Sequence, residues 1–250
     1  MNERKRYKFQ VKNHQRINHA LDILENLIRR SIATEDRDTY KALFPLYILL
    51  IGACAEARLL KILMEPGQFS QDEITEILKS NTHKDKWLSL IRVSFLKRAV
   101  RPINEIITSN NLDRIALHIY RDLETLVESE LKIIIELRNK FAHGQWEYPF
   151  SNWEYPFLLE KLKISPEHGK LVNKENLLTM LLKRKILDKV LDIIRDLGIC
   201  RKAFPRDFDK YYKRIESVQI QIKTRSYKKY KDSLINKYKK GLTIRKSLSS

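Results

Sequence analysis

The sequence predicts an all-α fold: a helical bundle followed by a basic, largely helical C-terminal extension. Apolar residues recur at three- and four-residue spacing along most of the chain, which is the period of one helix face. Six Gly and seven Pro in 250 residues are too few for the turns of an all-β fold. Charged residues at 32% against 43% hydrophobic suit soluble helices that bury one stripe. A chain of this length buries a real core. The expected division is a bundle over residues 1–160 and the extension over 161–250.

The first helix is expected over residues 11–32, where Ile17, Leu21, Leu24 and Ile28 form one apolar stripe. His14 and His19 near its start read as surface residues. The basic segment ahead of it has no apolar run, so it does not read as a secretory signal. A second helix, about 39–65, stops at Pro66-Gly67. Its apolar stretch, residues 42–55, holds Pro45 and Gly52; it is too short to span a bilayer and reads as the most buried helix. Cys54 and Cys200 lie far apart in apolar settings and read as buried thiols in a reducing cytosol. There is no CxxC or HExxH spacing, so neither a metal nor a cofactor is expected. Glu56, acidic in mid-helix, needs a partner if buried. It either meets Lys61 or a neighbouring helix, or orients Arg138 or His143 from a facing one.

Ser70-Gln71-Asp72-Glu73 has the form of a capping box and opens a short helix through Leu78. Trp87, Leu90, Ile91, Phe95 and Leu96 mark another helix over about 85–100, broken at Arg101-Pro102. His83 falls in the connecting turn and reads as a loop residue. A long helix is expected over about 112–142 from the rhythm of Ile115, Ile119, Leu123, Leu126, Ile133, Ile134 and Leu137. His118 on it reads as a packing residue.

That long helix ends on Arg138, Asn139 and His143, followed by Gly144. Arg offers a planar fork of donors to phosphate oxygens and stays charged. His titrates near neutrality and can take or give a proton. Five residues correspond to roughly 140° around a regular helix, so Arg138 and His143 do not share an ideal helical face. They meet either because Gly144 releases His143 from register or because two copies of the motif face each other across a two-fold axis. By spacing alone His143 reads as a helix cap whose charge complements the dipole.

The run Arg138-Asn139-Lys140-Phe141-Ala142-His143-Gly144, closing an apolar helix, resembles the R-x4-6-H signature of the HEPN superfamily. The polar residue after the Arg and the small residue before the His fit its common form. The resemblance covers about the first 150 residues. It implies an HEPN-like helical bundle that dimerises so that two motifs line one cleft. It further implies metal-independent RNA cleavage of the toxin or abortive-infection kind: the RNA's 2′-hydroxyl attacks, leaving a cyclic phosphate and a 5′-hydroxyl. His143 would be the acid or base, Arg138 would stabilise the phosphorane, and Asn139 would hold a phosphate oxygen or His143 of the partner subunit.

WEYPF is written twice, at residues 146–150 and 153–157. Its prolines cannot continue a helix. The segment is either a packed flap over the bundle end or an aromatic platform for single-stranded RNA, with Glu147 and Glu154 weighing against the platform. A further helix is expected over about 174–197 on Leu177, Leu181, Ile186, Val190 and Ile194, then a turn at Phe204-Pro205. The tail, with Tyr211, Tyr212, Tyr227, Tyr230 and Tyr238 among its cations, reads as a long amphipathic helix to about Gly241 or as a partly disordered arm.

Net charge is +18, and residues 201–250 hold sixteen Lys or Arg against four Asp or Glu, so +12 sits in the last fifth. Such charge suits a polyanionic partner, nucleic acid first and an acidic membrane surface second, unless the tail only solubilises. Lys140, Lys228, Lys229, Lys239 and Lys240 are the expected RNA contacts. The sequence thus reads as a cytoplasmic, homodimeric endoribonuclease acting on RNA, with an antitoxin or defence-system partner and no membrane. A non-catalytic HEPN-like RNA-binding or regulatory protein is the second reading, and a structural adaptor is the third.

Overall fold

A computed structural model describes residues 2–146, 166, 169–170, 174–199 and 204–248. Among them there is no strand, and the fold is all-α. The helices run α1 Glu3–Ala33, α2 Arg37–Leu63, α3 Gln71–Leu78, α4 His83–Arg98, α5 Arg114–Leu126, a π turn Val127–Leu131, α6 Lys132–Ala142, α7 Leu177–Ile199, α8 Phe204–Thr224 and α9 Tyr227–Leu248. The WEYPF repeat beyond Trp146, and Cys200, lie outside the described residues.

Local chemistry accounts for most boundaries. Side chains of Asn2, Asp36, Ser70, Thr82 and Asp113 accept from backbone N–H groups of the first turns of α1 to α5, each such cap being worth about 1 kcal/mol. Asn2 starts α1 eight residues earlier than the apolar stripe suggests, since capping and charge suffice to extend an exposed turn. At α3 the expected capping box is present, Ser70 and Glu73 each serving the other's backbone N–H. Phe204-Pro205 does not make a turn but opens α8; a proline in the first turn loses no helical hydrogen bond.

Two apolar clusters make the core. One gathers Leu59 and Leu63 of α2 with α3, α4, α5, the π turn, α7 and α8, around Trp87, Leu90, Ile91 and Leu123. The other joins Leu21 and Ile28 of α1, Tyr47, Ile48 and Ile51 of α2, Ile134, Leu137 and Phe141 of α6, and Leu177 and Met180 of α7. Full burial of each such side chain contributes about 1.5–3 kcal/mol. α2 therefore belongs to both clusters: residues 44–54 lie in one and residues 55–63 in the other. Its length and composition would also let it cross a membrane, and half of its apolar window is buried inside the bundle.

The expected long helix is one rod with a π turn between α5 and α6. One extra residue in a turn rotates everything beyond it by about 100°. The buried positions accordingly pass from Leu123 and Leu126 to Leu131, Ile134 and Leu137 and turn α6 onto α2. His118 and Ile115 are exposed on α5, so His118 is not a packing residue; it lies beside Asp122, Nε2 to Oδ2 3.4 Å.

The tail is packed helix. α8 inserts Phe208 and Ile215 into the first cluster, and Tyr230 and Leu234 of α9 pack on the second. Of the two open forms, helix is the one adopted, divided at Arg225-Ser226 and running past Gly241.

Candidate functional site

Arg138 stands in the last turn of α6, where its stem crosses α2 over Gly52. A Cβ on Gly52 would lie 2.6 Å from Arg138 Cγ and 2.8 Å from its Cβ, so only hydrogen fits there. One helical turn further along α2, on the same face, Glu56 takes the guanidinium: Arg138 Nη2 is 2.9 Å from Glu56 Oε1. Gly52 and Glu56 thus act as seat and anchor. The other guanidinium nitrogen, Nη1, donates to Asn139 Oδ1 at 3.0 Å.

The same Glu56 oxygen has a second partner, which the sequence does not announce. His83 Nε2 lies 3.2 Å from Oε1. His83 is not a loop residue but the first residue of α4, placed by the Thr82 cap. Burial holds its imidazole below the ordinary value, and Lys86 and Arg138 add to this while Glu56 opposes them. The three side chains are open to water, Arg138 at 29%, Glu56 at 28% and His83 at 38% relative exposure. Glu56 therefore links α2 to both α4 and α6.

His143 is the C-cap of α6 and is exposed. Gly144, at φ 74°, turns the chain in the left-handed region that favours glycine. Its N–H donates to Phe141 O at 3.1 Å, and Gln145 N–H donates to Lys140 O at 3.0 Å, the paired bonds of a Schellman stop. The helix therefore stops after His143, whose own N–H still donates to Asn139 O at 3.2 Å. Trp146, the first aromatic of the repeat, donates from Nε1 to Phe141 O at 2.9 Å, so the segment begins by folding back on the helix end. The structure thus gathers Arg138, Asn139, Glu56 and His83, with His143 at the following cap.

The expected RNA contacts divide by place. Lys140 is half-buried in α6, whereas Lys228, Lys229, Lys239 and Lys240 are exposed on α9. Lys229 and Lys240 line one shallow groove of about 460 Å³ with Lys237 and Asn236. A second basic groove, about 500 Å³, runs between α7 and α8 and is lined by Lys185, Lys189, Lys213 and Arg214. It escapes the sequence because its two walls come from different helices, brought side by side only by the fold.

A third histidine departs from expectation. His14 is half-buried, within hydrogen-bond distance of Asn18 (Nδ2 to Nε2 2.9 Å). Burial, with Arg58, Lys61 and Arg184 nearby, lowers its pKa to about 4. Arg184 bridges toward Asp22 and Glu25, and Arg58 pairs with Asp188. Two of these cations, Arg58 and Arg184, are matched by carboxylates, so this cluster reads as a scaffold joint. Cys54 is buried beside Asn18, as expected of a structural thiol.

Among the described residues, no group of three or more His, Cys, Asp or Glu side chains gathers to hold a metal ion. What Arg138, Glu56, His83 and His143 can do is bind an anion and move protons. No family model matches the chain, and no curated protein or solved structure matches it.

Proposed function

We propose that the chain is a cytoplasmic endoribonuclease of the HEPN kind, cleaving RNA without a metal in a toxin or antiviral-defence role. The observation that carries this reading is the seating of Arg138: its stem lies over Gly52, its head is held by Glu56, and His143 stands exposed at the cap of the same helix. A guanidinium fixed at a water-accessible helix end, five residues from an exposed imidazole, suits a phosphate undergoing attack by its own 2′-hydroxyl. Arg138 stabilises the charge that develops on the phosphorane. His143 transfers a proton, and Asn139 holds Arg138 in line or takes a phosphate oxygen. The exposed cations of α9 and the groove between α7 and α8 supply sequence-independent contact to the rest of the strand. Two copies related by a two-fold axis would enclose the RNA between their motifs, and an antitoxin or defence-system protein would restrain or trigger the pair.

One observation favours a second reading, a non-catalytic RNA-binding or regulatory protein. Both terminal nitrogens of Arg138 have protein partners, Glu56 and Asn139, which is also how a structural anchor looks. Incubating the purified protein with mixed RNA in EDTA separates the two. The ribonuclease reading expects fragments, and expects none from Arg138→Ala or His143→Ala. Salt-sensitive binding without fragments supports the second reading and overturns the first.

A further inference from the structure

We propose that His83 is the proton acceptor of this site and Glu56 the residue that positions it. The inference rests on the ribonuclease reading above and deepens it. Cleavage by an internal hydroxyl needs a base and an acid, and the R-x4-H motif supplies one histidine per chain. The structure brings a second histidine to the same arginine from 55 positions earlier in sequence, through a shared carboxylate oxygen 3.2 Å from His83 Nε2 and 2.9 Å from Arg138 Nη2.

The chemistry of that contact is directional. A carboxylate beside a neutral imidazole accepts the N–H of the nearer ring nitrogen. Glu56 therefore selects the tautomer with its proton on Nε2 and leaves the Nδ1 lone pair for an incoming proton. The charged groups facing the ring are Glu56 from α2, Lys86 from its own helix and Arg138 from α6. Burial and the two cations outweigh the carboxylate and keep the ring neutral near pH 7, the form that a base requires.

The step then balances. The 2′-oxygen attacks phosphorus while its proton passes to His83 Nδ1. The bond from phosphorus to the 5′-oxygen breaks as that oxygen takes a proton from His143. The products are a 2′,3′-cyclic phosphate and a 5′-hydroxyl, and the two histidines regain their starting states through water. Arg138 shares the Glu56 oxygen with His83, so the guanidinium and the base are held by one group. The base then comes from the chain itself, and a second copy is not needed to supply it.

The test compares RNA cleavage by the wild-type chain, His83→Gln, His83→Ala, Glu56→Gln and His143→Ala, with melting temperature measured for each. Glutamine keeps an N–H for Glu56 but cannot accept the proton, so His83→Gln should fold like the wild type and lose about 10²–10⁴-fold in kcat with little change in KM. Glu56→Gln removes the carboxylate that raises His83, and the acid limb of its pH–rate profile should move to lower pH. A purely structural role for Glu56 would not move that limb. If His83→Gln cleaves at the wild-type rate while His143→Ala does not, His83 is not the base and the ribonuclease reading stands alone. If the wild type itself leaves RNA intact, that reading fails and this inference falls with it. An unmoved acid limb in a folded, active Glu56→Gln overturns the pairing of Glu56 with the base.

Discussion

Two clusters of cations and carboxylates flank the rod formed by α5, the π turn and α6, and they differ in their access to water. At the π turn, Lys183 of α7 lies between Glu130, 3.2 Å away, and Glu175, 3.5 Å away, with Lys183 and Glu175 side chains only 7% and 4% exposed. Eight residues beyond Glu130, Arg138 shares Glu56 with His83, and all three are about a third exposed. The charge types are alike. Burial makes the first a structural joint, because charges removed from water must stay matched. Openness leaves the second free to act as a reagent under the proposed function, since a substrate phosphate could then compete for Arg138. Accessibility, more than residue type, separates scaffold from site.

The largest expected effect tests the buried side. Lys183→Met leaves Glu130 and Glu175 without their cation, which should cost about 3–5 kcal/mol of stability by denaturant unfolding. Arg138→Met, at the open cluster, should cost under about 1 kcal/mol while abolishing RNA cleavage. Equal losses of stability at the two positions would break the comparison.

Next comes the seat. Gly52→Ala keeps every charged group but places a methyl against the stem of Arg138. Overpacking of this kind costs about 1–3 kcal/mol. Because the clash falls on the stem, Arg138 must move off Glu56, and cleavage should fall sharply in a protein that still contains Arg138, His83 and His143. Undiminished cleavage by folded Gly52→Ala would show that the Arg138–Glu56 geometry does not matter.

His14 lies between the extremes. Its pKa is lowered from 6.5 to about 4, so the folded protein resists a proton that the unfolded chain accepts. Its contribution is fully present above about pH 6.5 and is lost as pH falls toward 4. For a half-exposed ring this amounts to about 1 kcal/mol after solvent screening. His14→Gln should therefore flatten the acid side of the stability–pH curve, and a variant with an unchanged curve would remove His14 from the joint.

The smallest effect belongs to fully exposed charge. Lys229→Glu with Lys240→Glu should weaken RNA binding several-fold and make its salt dependence shallower, by about one unit of slope for each phosphate that the chain no longer neutralises. The fold should be untouched, whereas deletion of α9 would strip Tyr230 and Leu234 from the second core cluster. An unchanged salt slope would make α9 a structural helix only.

The helices are legible in the sequence because apolar period and capping residues act over a few positions; Ser70 to Glu73 is the cleanest case. The chemistry of α6 is legible because Arg138, Asn139 and His143 are close in sequence. The rest depends on distance along the chain. His83 meets Glu56 across 27 positions and carries no periodic signal. Gly52 reads only as an interruption of an apolar run, since the need for a missing Cβ arises from α6, far along the chain. The π turn is hidden because an inserted residue changes a helix's phase without ending its apolar rhythm. Phe204-Pro205 reads as a turn, wrongly, because proline stops a helix in its interior but opens one at its start.

The decisive measurement is end-group analysis of RNA exposed to the protein in EDTA. A ribonuclease of this kind should leave fragments ending in 2′,3′-cyclic phosphate with 5′-hydroxyl partners, produced by the wild type and lost in Arg138→Ala and His143→Ala while both variants stay folded. Intact RNA, or fragments made equally well by the two variants, would contradict the ribonuclease reading.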